Sequence, residues 1–199
     1  VRREYLLGHE LDSATGYPFR GAVLAFASGK SKAADFKRAF ETQLENYPPE
    51  QMRCNLNILG SHDVARALTI LGGAPEEGSL QAEAREAYEL PPGAVDTGRA
   101  RLMIAGLLQY LLPGTPMLYY GDEAGMQGYS DPFNRGPYPW GREDKRLQSW
   151  FKSLGEARGA HKAIKDGDFR LLAADGQAFA FLRRCGEDVV LAAVNTGTS

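Results

Sequence analysis

The sequence predicts an α/β fold, part of a (β/α)8 TIM barrel followed by the start of an all-β carboxyl-terminal domain. Three observations predict it. Short apolar, strand-like runs alternate with amphipathic helical ones, polar residues begin where the strand-like runs stop, and after Asp166-Gly167 the pattern changes to three short β-like runs. Alternating strands and helices are the grammar of a parallel barrel, whose functional groups come from the carboxyl ends of the strands. Only about three β/α repeats are legible, whereas a closed barrel needs eight.

Taken in order, Leu11 to Thr15 reads as a short strand, and Tyr17-Pro18-Phe19 opens a helix in which Phe19, Ala22, Val23 and Phe26 recur at helical spacing. A second helix, from about Ala33 to Asn46, carries Phe36, Ala39, Phe40 and Leu44 as one stripe and stops at Pro48-Pro49. Cys54 to Leu59 is the next strand, ending in Gly60-Ser61-His62-Asp63. The stretch from Gly72 to Gly98, with its Gly, Pro and acidic residues, reads as a surface excursion. A helix from about Thr97 to Leu112 then ends at Pro113-Gly114, and Thr115 to Tyr120 is a buried strand that stops at Gly121-Asp122-Glu123. The Gly/Pro/aromatic loop from Gly125 to Arg142 is long enough to suggest function. A last helix, about Glu143 to Gly159, precedes the runs Phe169 to Ala173, Ala178 to Arg183 and Val189 to Val194, which are joined by turns. A boundary near Lys165 gives two units, residues 1–165 and 166–199.

Composition narrows the function classes. The 199 residues are 43% hydrophobic and 24% charged, enough for a packed core. Their net charge of −2, from 23 basic and 25 acidic side chains spread along the chain, offers no basic stripe for nucleic acid and no polybasic segment for a membrane surface. The longest apolar stretch, Leu102 to Leu112, is too short to span a bilayer. Val1 to Tyr5 has no apolar region behind its charges and does not read as a signal peptide, and a first residue other than Met suggests that the true start lies upstream. Cys54 and Cys185 match no metal or redox spacing and are expected to be free, buried thiols.

The chemistry-bearing segments are specific. Asn55-Leu56-Asn57-Ile58-Leu59-Gly60-Ser61-His62-Asp63-Val64-Ala65-Arg66 resembles the seventh barrel strand of the α-amylase family of glycoside hydrolases, glycoside hydrolase family 13. Roughly sixty residues on, Pro113 to Glu123 resembles the eighth strand, and Leu11 to Phe19 looks like the sixth. Asp131-Pro132-Phe133-Asn134-Arg135 is similar to a donor-side loop of cyclomaltodextrinases, neopullulanases and related glucanotransferases. The resemblance implies a retaining hydrolase of α-1,4 glucosidic bonds, with α-1,6 bonds as a further possibility, in maltooligosaccharides, cyclodextrins, pullulan or starch. It implies that Asp63 is the transition-state-stabilising carboxylate, and that His62, Asp131, Arg135, Tyr120 and Arg66 bind substrate. The family's nucleophile and acid/base fall after strands four and five, so both are expected upstream, in a missing amino-terminal part of the barrel that would be this chain's natural partner. The resemblance also suggests a homo-oligomer and a cytoplasmic location. Calcium is common in such enzymes, but no ligand set is visible in the sequence, and no other cofactor is implied.

Each reading has a plainer rival. Asp63 can be a helix cap, Asp122 and Glu123 loop-structuring residues, and Asp131 with Arg135 a surface ion pair. Arg66 can hold Asp63 or a neighbouring carboxylate. Tyr119 and Tyr120 read as core with one ring near the pocket, Tyr17, Tyr129, Phe133, Tyr138 and Trp140 stand between packing and substrate contact, and His9 and His161 read as surface residues. A metal-dependent hydrolase built on His62, Asp63, Asp122 and Glu123, and a non-catalytic family member or carbohydrate-binding module, are the competing functions.

Overall fold

The computed structural model describes residues 3–7 and 9–197. Residues 1, 2, 198 and 199, at the ends of the two expected units, lie outside the described residues, and so does part of the amino-terminal stretch read for a signal.

Two parallel strands anchor the functional end. Strand β1 (Leu56–Ile58) pairs with β2 (Thr115–Met117), Leu56 opposite Thr115 and Ile58 opposite Met117. The expected first strand is reduced to a parallel bridge from Thr15 to Leu56. Its ladder stops because helix α1 (Tyr17–Ala27) starts at once, with Pro18 in the first turn where a missing N–H costs nothing. The second strand starts later than expected for the same reason. Pro49 opens a short helix α3 (Pro49–Cys54), after α2 (Ala33–Asn46), and Cys54 is its last residue rather than the first of a strand. Cys54 is consequently exposed and Cys185 half-buried, so the thiols are free but not core residues.

The register of the three-residue ladder is fixed from the side. Helix α6 (Pro92–Leu111), which begins at Pro92 instead of Thr97, presents the buried Gln109, whose Nε2 donates to the carbonyls of Asn57 (2.9 Å) and Met117 (3.0 Å). Asn57 Nδ2 donates back to the carbonyls of Gln109 (3.3 Å) and Pro113 (3.1 Å). Gly114, at φ +122°, lies so close that a Cβ there would collide with the Asn57 side chain, so only glycine fits. On its other faces α6 packs against α1, α4 (Ala67–Leu71) and α7 (Lys145–Ala160), around buried Leu102, Ala105 and Leu108. The Asp144 carboxylate caps α7 by accepting from the N–H groups of Arg146 and Leu147, both at 3.0 Å. Before α6 begins, the expected excursion carries a short helix α5 (Ala82–Glu86) and a 3-10 turn, Glu77–Ser79, neither of which has a buried residue.

After α8 (Lys162–Asp166) the chain forms an antiparallel meander, β3 (Asp168–Asp175), β4 (Ala178–Cys185) and β5 (Asp188–Asn195), paired in that order. Alternation along β4 points Phe179, Phe181 and Arg183 inward. The rings join those of α1 and α2: Phe36 lies 5.0 Å from Phe26 and 4.9 Å from Phe179, and Phe40 lies 5.4 Å from Phe169. Helices and meander therefore share one aromatic seam, and apolar burial of this kind is the main force holding them together. Arg183 crosses it, donating to the carbonyls of Leu111 (2.7 Å) and Gly167 (2.9 Å). No helix among the described residues is long and apolar enough to cross a membrane.

Candidate active site at the ends of the parallel strands

The segment from Leu59 to Arg66 leaves β1 and reaches α4 without regular structure, so its backbone groups must find partners elsewhere. They do so on two sides. From α1, Arg20 donates through Nε to Leu59 O (2.8 Å) and through Nη2 to Ala65 O (2.9 Å). From the long loop, the buried Asn134 places Nδ2 near the carbonyls of Ser61, His62 and Val64. Neither residue was singled out by sequence pattern. Each lies more than thirty-eight residues from its partners, beyond the reach of any local signal.

On this braced turn stand His62 and Asp63. Their side chains are 61% and 58% exposed, with His62 Nε2 3.1 Å from Asp63 Oδ1. Tyr17 donates its hydroxyl to Asp63 Oδ2 at 2.8 Å, and lies 3.1 Å from Ser61 Oγ. Tyr17, evenly balanced between packing and substrate contact in the sequence, is thus a direct support of the carboxylate. The capping alternative for Asp63 fails on geometry: Arg66 occupies the N-cap of α4, and no side chain caps that helix. The carboxylate is held by two side chains and still faces solvent.

Arg66 departs from the substrate-binding expectation and follows its plainer alternative. It has no exposed surface, so it cannot touch a sugar, and it holds the neighbouring carboxylate Asp122 rather than Asp63. Its Nη1 lies 3.3 Å from Asp122 Oδ1 and also donates to Tyr120 O, Nε donates to Asn134 O (2.9 Å), and the guanidinium covers the rings of Tyr119 (4.3 Å) and Tyr120 (4.7 Å). This capture of Tyr120 O helps explain why β2 ends at Met117 and not at Tyr120. Asp122 is 2% exposed, and burial, only partly offset by Arg66, pushes its pKa up to about 6. A Cβ on Gly60 would collide with Asp122 Oδ2, so a glycine is required where the β1 exit passes over this pair.

The remaining candidates play different parts. Arg135 Nε pairs with Asp131 Oδ1 at 2.6 Å, both half exposed, and Arg135 Nη2 reaches His62 O at 3.4 Å. Tyr120 is 40% exposed, contrary to a pure core role, and donates its hydroxyl to Gly136 O at 2.9 Å. Tyr129 is a packing residue: it is buried and donates to Pro75 O at 3.0 Å. Phe133 lies under the Arg85 guanidinium, 5.6 Å away. Trp140 is 80% exposed, with its ring 4.5 Å from that of Tyr138. His9 is exposed, and His161, also partly exposed, has Nδ1 2.8 Å from Asp188 Oδ1. Among the described residues no group of three or more His, Cys, Asp or Glu side chains is placed to hold a metal ion. His62 and Asp63 face solvent, whereas Asp122 is buried against Arg66.

Comparison with known proteins bears on this arrangement. The family profile described as "Alpha amylase, catalytic domain" matches residues 1–166. An amylopullulanase from Thermoanaerobacter thermohydrosulfuricus is 38% identical over 192 residues, covering 90% of this chain and 12% of that protein. A cyclomaltodextrinase from Bacillus sp. is 31% identical over 196 residues, covering 96% of this chain and 31% of its own length. Among solved structures, the debranching enzyme from Nostoc punctiforme superposes with a TM-score of 0.83 at 28% identity, covering 99% of this chain and 39% of that one. The chain thus spans less than a third of the length of these two curated relatives.

Proposed function

Because the chain belongs to the α-amylase catalytic-domain family, in its neopullulanase and cyclomaltodextrinase-like branch, we propose that it is part of a retaining glycoside hydrolase that cleaves α-glucosidic bonds in maltooligosaccharides, cyclodextrins, pullulan or starch. The names of its relatives, an amylopullulanase and a cyclomaltodextrinase, support α-1,4 linkages and make α-1,6 linkages the natural second target.

One observation carries the reading: Asp63 is fixed by Tyr17 and flanked by His62 at a strand end, yet its carboxylate remains more than half exposed. A surface carboxylate gains little from being held, so its supports make sense as preorganisation for a charge that develops elsewhere. In glycoside hydrolysis that charge is the oxocarbenium-like anomeric centre, and a fixed anion beside it lowers the barrier. His62 would donate from the same turn to a sugar hydroxyl, and Tyr120 and the Asp131–Arg135 pair would hold sugars further along the chain. A retaining site also needs a nucleophile and an acid about 5–5.5 Å apart. Asp122 is buried and engaged with Arg66, so it is a poor candidate for either role, and both are assigned to the complementary part of the barrel.

The test is Asp63→Asn in the complete polypeptide. Turnover of maltooligosaccharide should fall by several orders of magnitude with the unfolding midpoint unchanged, since charge is removed and shape kept; near wild-type turnover would sink the assignment. His62→Ala should lower kcat by roughly 10²-fold, the scale of one lost transition-state hydrogen bond. A rise in KM alone would make His62 a ground-state binder.

A further inference from the structure

The loop from Gly125 to Arg142 does more than border the site. Asn134 within it is fully buried, and its Nδ2 lies 3.1 Å from Ser61 O, 3.0 Å from His62 O and 2.9 Å from Val64 O. An amide nitrogen has two protons for these three acceptors, so one is shared. Its Oδ1 has no partner, so the side chain serves as a donor. The three carbonyls belong to no ladder, because β1 ends at Ile58 and α4 begins at Ala67. Asn134 is itself fixed by Arg66 Nε, which donates to its backbone carbonyl at 2.9 Å, while the Arg66 N–H donates to Gly128 O at 2.9 Å.

We propose that Asn134 is a positioning residue for the site: by closing the carbonyls on both sides of Asp63 it sets where the Asp63 carboxylate and the His62 ring stand, and the loop is the mould of the turn as well as the rim of the cleft. The inference rests on the reading of Asp63 as the stabilising carboxylate. Its geometric half stands on contacts alone.

Asn134→Ala and Asn134→Ser, which keeps one donor, would be made in the complete polypeptide, alone and combined with Asp63→Asn. Asn134→Ala is expected to lower kcat on maltooligosaccharide by roughly 10²-fold, the scale of a displaced catalytic group, with KM little changed and Asn134→Ser intermediate. Deuterium uptake should rise in residues 60–66 and stay unchanged in 145–160. In the Asp63→Asn background Asn134→Ala should cost little more turnover, because the group it positions is already disabled. Unchanged uptake in 60–66, or the same fold loss in both backgrounds with uptake raised throughout, would overturn the proposal. If Asn134→Ala does not fold, the Ser variant is read by the same criteria. If Asp63→Asn alone leaves turnover intact, the functional reading falls, and local uptake in 60–66 still decides whether Asn134 moulds the turn.

Discussion

At the ends of the parallel strands, Arg66 has no exposed surface and meets a carboxylate, two tyrosine faces and two loop carbonyls. At the seam with the antiparallel sheet, Arg183 is equally buried and donates to carbonyls, those of Leu111 and Gly167. The strain of burial falls on different groups. Beside Arg66 it falls on the anion, pushing Asp122 up to about 6. At the seam it falls on the cation, and burial, with Arg158 and Arg53 nearby, lowers the Arg183 pKa to about 10. Leu111 O lies at the carboxyl end of α6, where the helix dipole favours a cation, which accounts for a guanidinium there with no ion-pair partner among the described residues. The site thus uses an ion pair to order irregular backbone, and the seam uses a guanidinium, with Asp168 and Asp166 only partly offsetting its burial, to close a helix end.

The contrast can be broken experimentally. Arg66→Met strands a buried carboxylate and should cost about 3–5 kcal/mol in urea unfolding; a loss no larger than that of Arg183→Met would dissolve the distinction. The next largest effect is on pH dependence. The folded pKa of Asp122 lies above its ordinary value of 3.8, so below about pH 4 both states are protonated and nothing is lost. As pH rises from about 4 to about 6 the unfolded state releases its proton first and stability falls, by up to about 3 kcal/mol for a shift of about two units, and then levels off. Asp122→Asn should remove that fall, as urea midpoints at pH 4 and pH 7 would reveal. Arg183→Met leaves carbonyls rather than a charge unpaired and should cost about 1–3 kcal/mol. Smallest is Arg135→Ala, which breaks an exposed pair and should change stability by less than about 1 kcal/mol. It should nonetheless impair long oligosaccharides more than a minimal chromogenic glucoside, and equal losses on both would leave the pair no role in the cleft.

These two regions also differ in how far the sequence disclosed them. The apolar stripe of α2 and the alternation of β4 are local periodicities, and Phe36, Phe40, Phe179 and Phe181 are buried as that pattern requires, while Leu44 is half-buried and Ala39 of the same stripe is exposed. The same alternation turns Arg183 inward, which a hydrophobic pattern does not anticipate. Strand limits were less legible, because a ladder's length is set by partners distant in sequence: Cys54 belongs to a helix, and the first strand keeps one bridge. At the site, His62 and Asp63 stood out through a compact motif. Arg20, Asn134 and the role of Tyr17 did not, since each acts across 39 or more residues. For Arg66 two readings stood open, sugar contact and the holding of a neighbouring carboxylate, and the second is the one seen, for nothing local distinguishes a buried arginine from one lining a cleft.

Gln109 gives the strand pair an unusual freedom. A ladder three residues long could slip by one and reverse every side chain, and loop length often guards against that. Here the spacing is gauged by an amide on α6 that touches Asn57 and Met117 together. The segment between α4 and α6 is therefore released from metrical duty. It can lengthen or shorten over evolutionary time at a closure cost that grows only logarithmically, while the strands keep their alignment.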